Sequence, residues 1–429
     1  MKNIPLVFSE YISGLEPVPV DFMECKSVQY NLSKDDAMND FELFRYLIDN
    51  AYSGKEYWEK QGISFLQRCE RVQKQIQEQE TIRLETLYNF MCYIFSDVHD
   101  GHIYVSHALI GHRYFQNTYR AYFADVLLEK RNDNFIVIKS NNNDVVIGDK
   151  IENNADSKSF FPTLSPKGKQ HYLLGLRSWE PVQNMEIKVN DKFVSIQLHA
   201  CKQSKSNNNG IFQFDFDEKH PIVKSSRFWE SDNENYENTE RDFENIGKEL
   251  RNKPYVIWDI HDNIGGNSNY PEAFIRGLND SAKWYIDCAV LSSPAVEQAR
   301  GAKENLSLER KWELYEADRG SKEPATYKGV LYVLIGEKVA SSGEAAVSQA
   351  MNTENCVLIG SNTGGVGTFG DVLTYELTNS KILVRLPYKL FLGGPREGEG
   401  YTPHFWVDTD NLLEETIRWL ENPETYTAI

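Results

Sequence analysis

The chain has 429 residues, with 46 basic against 63 acidic side chains, a net charge of −17, and a hydrophobic content of 41%. That length suits two or three domains of an ordinary globular protein. The acidic balance argues against nucleic acid or an anionic membrane as partner, and no apolar run approaches the roughly 18 residues that a membrane span needs.

The opening stretch, "MKNIPLVFSEYISGLEPVPVDFMECK", has no continuous apolar core of the signal-peptide kind, so a cytoplasmic location is expected. The cysteines, Cys25, Cys69, Cys92, Cys201, Cys288 and Cys356, are scattered, with no C-x-x-C pair. Neither a structural zinc nor a disulfide framework is expected, which suits a reducing compartment.

Residues 1–116 read as a helical domain. In "DDAMNDFELFRYLIDNAY" (35–52), Phe41, Leu43, Phe44, Leu47 and Ile48 recur at helical spacing behind an acidic start, and "TIRLETLYNFMCYIFSDV" (81–98) repeats the pattern. Residues 117–225 change to short alternating runs, "NFIVIKS", "MEIKVNDKFVSIQLHA" and "GIFQFDF", broken by Asn, Asp and Gly. "VVIGDKI" (145–151) reads as strand, turn and strand, and "KQSKSNNNG" (202–210) as a polar loop. This is a small β-rich middle domain.

From 226 to 429 the pattern is α/β. "PYVIWDI" (254–260), "GVLYVLIG" (329–336) and "NCVLIG" (355–360) lack polar alternation and suit buried parallel strands. Helical runs, "NYPEAFIRGL" and "GEAAVSQAMN", follow the first two, which implies crossover connections. "LTYELTNSKILVRL" (373–386) reads as a hairpin turning at Asn379-Ser380, and the charged stretch at about 296–328 as an insertion or lid.

Two stretches carry chemistry. "ASSGE" (340–344) lies between a buried strand and a helix. Its bland reading is a capping box, with Ser341 as cap and Glu344 three residues on. The same geometry aims helix N-terminal amides at a serine hydroxyl and can stabilise an oxyanion. "DIHDNIGG" (259–266) ends a buried strand in paired glycines, either a plain turn or a site where bare N–H groups approach a ligand.

Together with "GSNTGG" (360–365), "EGEGYTP" (397–403) and "SDVHDGHIYV" (96–105), these pieces resemble, in order and spacing, the carboxy-terminal processing (tail-specific) serine peptidases. The resemblance implies a crotonase-like core with parallel strands, an N-terminal helical unit and a PDZ-like middle unit. It implies Ser341 as nucleophile, with Ser342 and Gly265 or Gly266 as oxyanion donors. One branch of the family uses a lysine base where this chain has Val366, which cannot take a proton, and Lys381 has no motif support. The chain is closer to the tricorn-core-like Ser/His/Glu branch. That places the base at His102, ahead of His99 and His107, and its orienting carboxylate at Glu397, with Glu399 as alternative. Gly101 stands where tricorn has a linking serine, and His261 stands where the family often has arginine.

The function so implied is hydrolysis of peptide or protein substrates through an acyl-enzyme. No metal or organic cofactor is required, and an oligomer is left open. The alternative is a non-catalytic relative that binds an apolar ligand or a protein tail.

Overall fold

The computed structural model describes residues 31–152, 158–204, 219–229, 236–280, 286–301, 309–317 and 327–426. The chain gathers into two compact units, each built from several stretches. Of the described residues, one comprises those up to 117 with those in 286–317 and 368–398; the other comprises those in 118–285, 318–367 and from 399 onward.

In the first unit the expected helices form at Lys34–Ala51, Lys55–Glu59, Phe65–Gln77 and Leu84–Ile94. Ser33 caps the first, its hydroxyl accepting from the Asp36 N–H, and Asp35 and Asp36 face the positive end of the helix dipole. The apolar stripe foreseen there is buried: Phe41, Phe44, Leu47 and Ile48 are each at most 1% exposed. It packs on an antiparallel sheet whose neighbouring strands run in the order Lys311–Tyr315, Asp287–Ser292, Leu383–Leu392, Tyr104–His107 and Gly111–Tyr114. Phe369–Glu376 pairs with Leu383–Leu392 as a hairpin, and Asn379-Ser380 lies in the connecting turn as expected. Buried Asp40 fastens that turn, accepting from the Asn379 N–H at 2.9 Å and the Ser380 N–H at 2.6 Å.

Compactness divides the chain differently from composition. The stretches 286–317 and 368–398 read as parts of the third domain, yet they complete the sheet of the first unit. The reason is strand pairing: Leu383, Val384 and Arg385 lie opposite Ser106, Val105 and Tyr104. Within the supposed lid, residues 294–299 form a helix and 311–315 a strand, while 302–308 and 318–326 fall outside the described residues.

Among the described residues the second unit holds two sheets. The antiparallel one follows the expected β-rich region. Asn184–Val189 and Lys192–Gln197 form a hairpin turned by Asn190 and Asp191 at φ 45° and 69°. Positive φ at both central residues matches the right-handed twist of the flanking strands. "VVIGDKI" departs from expectation: Val145–Ile147 is a loop, and only Lys150–Ile151 is strand. "GIFQFDF" (210–216) lies outside the described residues.

The other sheet is parallel, in the order Ile222–Lys224, Tyr255–Asp259, Val330–Ile335, Cys356–Gly360 and Phe405–Trp406. Val256, Ile257 and Trp258 are fully buried, as a strand covered on both faces requires. The helices Asn269–Asn279 and Ser342–Ala350 follow the strands that were expected to lead into them. The fold class is thus α/β with a parallel sheet. Among the described residues no helix is long and apolar enough to cross a membrane.

Candidate functional site

In the second unit the strand Val330–Ile335 leads through a short turn to Ser341 and the helix Ser342–Ala350. Ser341 sits at φ 53°, ψ −122°. Positive φ is sparsely populated by non-glycine residues and costs on the order of 1–3 kcal/mol, so its surroundings must enforce it. They do so through the backbone. The Ser341 N–H donates to Val366 O at 2.8 Å, its carbonyl accepts from the Glu344 N–H at 2.8 Å, and the Ala340 N–H donates to Asn263 O at 3.0 Å.

The capping-box reading is overturned here. The Ser341 side chain makes no cap bond to the helix. Glu344 turns its carboxylate to the loop that follows, accepting from the Gly365 N–H at 3.0 Å and from the Thr363 hydroxyl. Burial raises the Glu344 carboxyl to about 7. Glu344 therefore fastens the helix to the loop whose Val366 carbonyl holds Ser341. Val366 itself is buried and brings no base.

The glycine turn packs directly against this serine. Gly265 is at φ 98°, and a Cβ there would lie 2.7 Å from Ala340 O and 2.9 Å from Ser341 Cβ. A Cβ on Gly266, at φ 131°, would lie 2.3 Å from Phe228 O. Both positions need glycine for conformation and for space. Buried Asn263 organises the turn: its Oδ1 accepts from the Gly265 N–H at 2.9 Å and its Nδ2 donates to Ser225 O at 2.7 Å. The Gly265 N–H is thereby engaged. The N–H groups of Gly266 and Ser342 donate to no acceptor among the described residues, and the Ser342 hydroxyl donates to Gly266 O at 2.6 Å.

In the first unit His102 is buried beside two carboxylates. Ligand-type atoms of Asp100, His102 and Glu397 all lie within 4.8 Å of one another. Glu397 Oε1 accepts from the Gly101 N–H at 3.2 Å and Oε2 from the Thr368 N–H at 3.0 Å. Asp100 Oδ1 accepts from the His102 N–H at 2.8 Å and Oδ2 from the Tyr52 hydroxyl at 3.0 Å. One imidazole and two carboxylates are also a donor set for a divalent cation. The bonds as they stand are those of two positioned acids, each anchored through both oxygens.

Burial pushes the His102 imidazole down to about 4, with Arg385 adding to the effect and Asp371 opposing it. Burial raises the Asp100 carboxyl to about 7. His102 is therefore neutral at neutral pH, the state in which an imidazole can accept a proton.

The lower-ranked candidates have other partners. His107 is buried, its Nδ1 accepting from the Leu109 N–H at 3.1 Å. His99 stands edge-on to Trp58. Lys381 lies in the hairpin turn beside Glu376, 3.1 Å away. His261 is paired through Nδ1 with Asp259 at 2.5 Å. Glu399 lies in the second unit, where its carbonyl accepts from Arg177. The structure thus groups His102 with Glu397 in one unit, and Ser341 with Ser342, Gly265 and Gly266 in the other. Asp100 was missed by sequence reasoning, although its place two residues before His102 was the available signal.

No curated protein sequence matches the chain. Among solved structures, the chain is similar to mature CPAF complexed with lactacystin, at 13% identity over 87% of this chain and 94% of that one, with a TM-score of 0.45. It is similar to the photosystem II D1 C-terminal processing protease, at 14% identity over 87% of this chain and 93% of that one, TM-score 0.39. It is also similar to the tricorn protease, at 11% identity over 91% of this chain and 37% of that one, TM-score 0.39. Residues 222–404, the stretch that carries the glycine turn, the serine turn and Glu397, match the model of Peptidase family S41.

Proposed function

We propose that the protein is a serine peptidase that hydrolyses peptide bonds through an acyl-enzyme on Ser341. The observation that carries this reading is the backbone of Ser341, held at positive φ at a helix start beside the unengaged N–H groups of Ser342 and Gly266. Strained backbone concentrates where function demands a fixed orientation. In this reading the Ser341 oxygen bonds to the substrate carbonyl carbon. The two N–H groups hold the oxyanion, and the C–N bond then breaks. His102 takes the hydroxyl proton and returns it to the leaving amine, while Glu397 orients the imidazole. Gly265 serves by its lack of a side chain, because Asn263 already uses its N–H.

We take the parallel sheet and its helices as a crotonase-like core, and the antiparallel sheet of the second unit as a PDZ-like module. Such a module would receive an extended protein tail by strand addition. The residue match over 222–404 supports a peptide or protein substrate.

The test is labelling by a fluorophosphonate probe together with turnover of a peptide substrate. Wild type should label, and Ser341→Ala should lose both labelling and turnover, by on the order of 10⁵-fold or more in kcat. Undiminished hydrolysis by Ser341→Ala would remove the nucleophile. Absence of labelling in the wild type, with copurified lipid, would favour an apolar-ligand carrier.

A further inference from the structure

The loops that shape the serine turn also line a second, smaller pocket within the same unit. His261 comes from the loop of Asn263 and Gly266. Lys338 comes from the loop that leads to Ser341. Ser361 comes from the loop that leads to Val366, and Lys202 and Thr409 complete the wall. The pocket lies at the carboxyl ends of the parallel strands Tyr255–Asp259, Val330–Ile335 and Cys356–Gly360, where open α/β sheets bind ligands. Its volume is about 10 Å³, room for one water-sized atom or group.

The lining is chemically one-sided. It holds two lysines, one histidine and three hydroxyls, those of Ser204, Ser361 and Thr409, and no carboxylate. That is unusual in a chain with 63 acidic residues. The His261 side chain is 10% exposed, and its Nδ1 lies 2.5 Å from Asp259 Oδ1. Its Nε2 is buried with no hydrogen-bond partner among the described residues. His261 lines the pocket while Asp259 does not, and with Nδ1 engaged by Asp259 the polar atom left on the ring is Nε2.

The nearby charges favour a charged ring. Burial works against protonation of His261, but Asp259 and then Asp262 outweigh it, with Lys338 opposing, and the imidazole lies above its ordinary value. The carboxylate of Asp408, between the wall residues Val407 and Thr409, has other partners: one oxygen accepts from the Lys202 N–H and the other lies 3.5 Å from His199. With Nδ1 given to Asp259, the imidazolium has one N–H left to donate.

We propose that this pocket is a small-anion site, holding a halide or one oxygen of a carboxylate or phosphate against His261 Nε2–H. Lys338 and Lys202 supply charge at the pocket wall, and Ser361 and Thr409 can supply hydroxyl donors. Water would satisfy the single N–H. An anion satisfies it and also answers the surrounding positive charge, which a buried site rewards more than bulk solvent does. A bound anion would add a charged link among the three loops that supply His261, Lys338 and Ser361. Anion binding at this pocket is independent of hydrolysis at Ser341.

The experiment is diffraction from crystals of the full chain equilibrated in sodium bromide, with anomalous scattering to locate the ion. It is repeated with Lys338→Met, whose exposed side chain can be lost without loss of the fold. The expected result is bromide density within about 3.5 Å of His261 Nε2, with occupancy at least several-fold lower in Lys338→Met. Competition by chloride, phosphate or acetate, balanced with a bulky sulfonate buffer, identifies which anion displaces bromide most effectively. Absence of bromide at His261 overturns the proposal in favour of water alone. Equal occupancy in wild type and Lys338→Met overturns it as an adventitious ion only.

Discussion

Replacing Gly265 by alanine tests the packing beneath the serine turn. Two costs add. Holding an L-residue at φ 98° costs about 1–2 kcal/mol. Placing a Cβ 2.7 Å from Ala340 O and 2.9 Å from Ser341 Cβ overpacks the contact, for about 1–3 kcal/mol more. Gly148 supplies the control, since it lies in the same unit at φ 96° with nothing within 4 Å of its would-be Cβ. Gly148→Ala therefore carries the first cost without the second. By thermal unfolding followed with circular dichroism, Gly265→Ala should melt roughly 2–12 °C below Gly148→Ala. Because the clash falls on Ser341 itself, turnover of a fluorogenic peptide should drop on the order of 10²-fold, the cost of displacing a reacting group by about 1 Å. Equal melting of the two variants, with undiminished turnover by Gly265→Ala, would refute the reasoning.

Other predictions test the remaining parts. Glu344 titrates at about 7 in the fold against an ordinary value of 4.5. The folded chain therefore holds the extra proton between these values, and stability falls as pH rises from about 4.5 through 7. The loss is on the order of 3 kcal/mol. Glu344→Gln should remove that slope in denaturant titrations run across this pH range. His102, held down to about 4, should give an acid limb of kcat/KM near pH 4–5, and Arg385→Gln should move the limb upward. Glu397→Gln should lower kcat by about 10²- to 10⁴-fold with KM little changed. Asp40→Ala strips the acceptor from the Asn379 and Ser380 N–H groups and should cost about 2–4 kcal/mol in chemical denaturation, without altering which residue a probe labels.

Local pattern carried much of the architecture. The unbroken apolar runs at 254–260, 329–336 and 355–360 are the parallel strands, because burial on both faces leaves no polar alternation. The hairpin around Asn379-Ser380 was equally plain. Its destination was not. Leu383–Leu392 pairs with Tyr104–His107 across some 280 positions of chain, and such a pairing leaves no trace in either segment alone. Two local rules misled. Ser341 and Glu344 satisfy the capping-box spacing, yet the loop at 363–366 offers Glu344 better donors than the helix start does. "VVI" has strand composition, but Asp149 Oδ2 accepts the Val146 N–H and closes a turn instead. At the site, the choice between Gly265 and Gly266 could not be made from "NIGG". It depends on where the Asn263 side chain points.

The interleaving of the two units bears on how the protein matures on the ribosome. The strand after His102 takes its partner, Leu383–Leu392, from some 280 positions further along the chain. At translation speeds of about 5–20 residues per second, that partner emerges roughly 15–55 s later. Until then the surroundings of the imidazole are unfinished, and Glu397 arrives later still. Until residue 397 has been made, a nascent chain thus holds His102 without its neighbouring strand or its carboxylate, a delay built into connectivity alone.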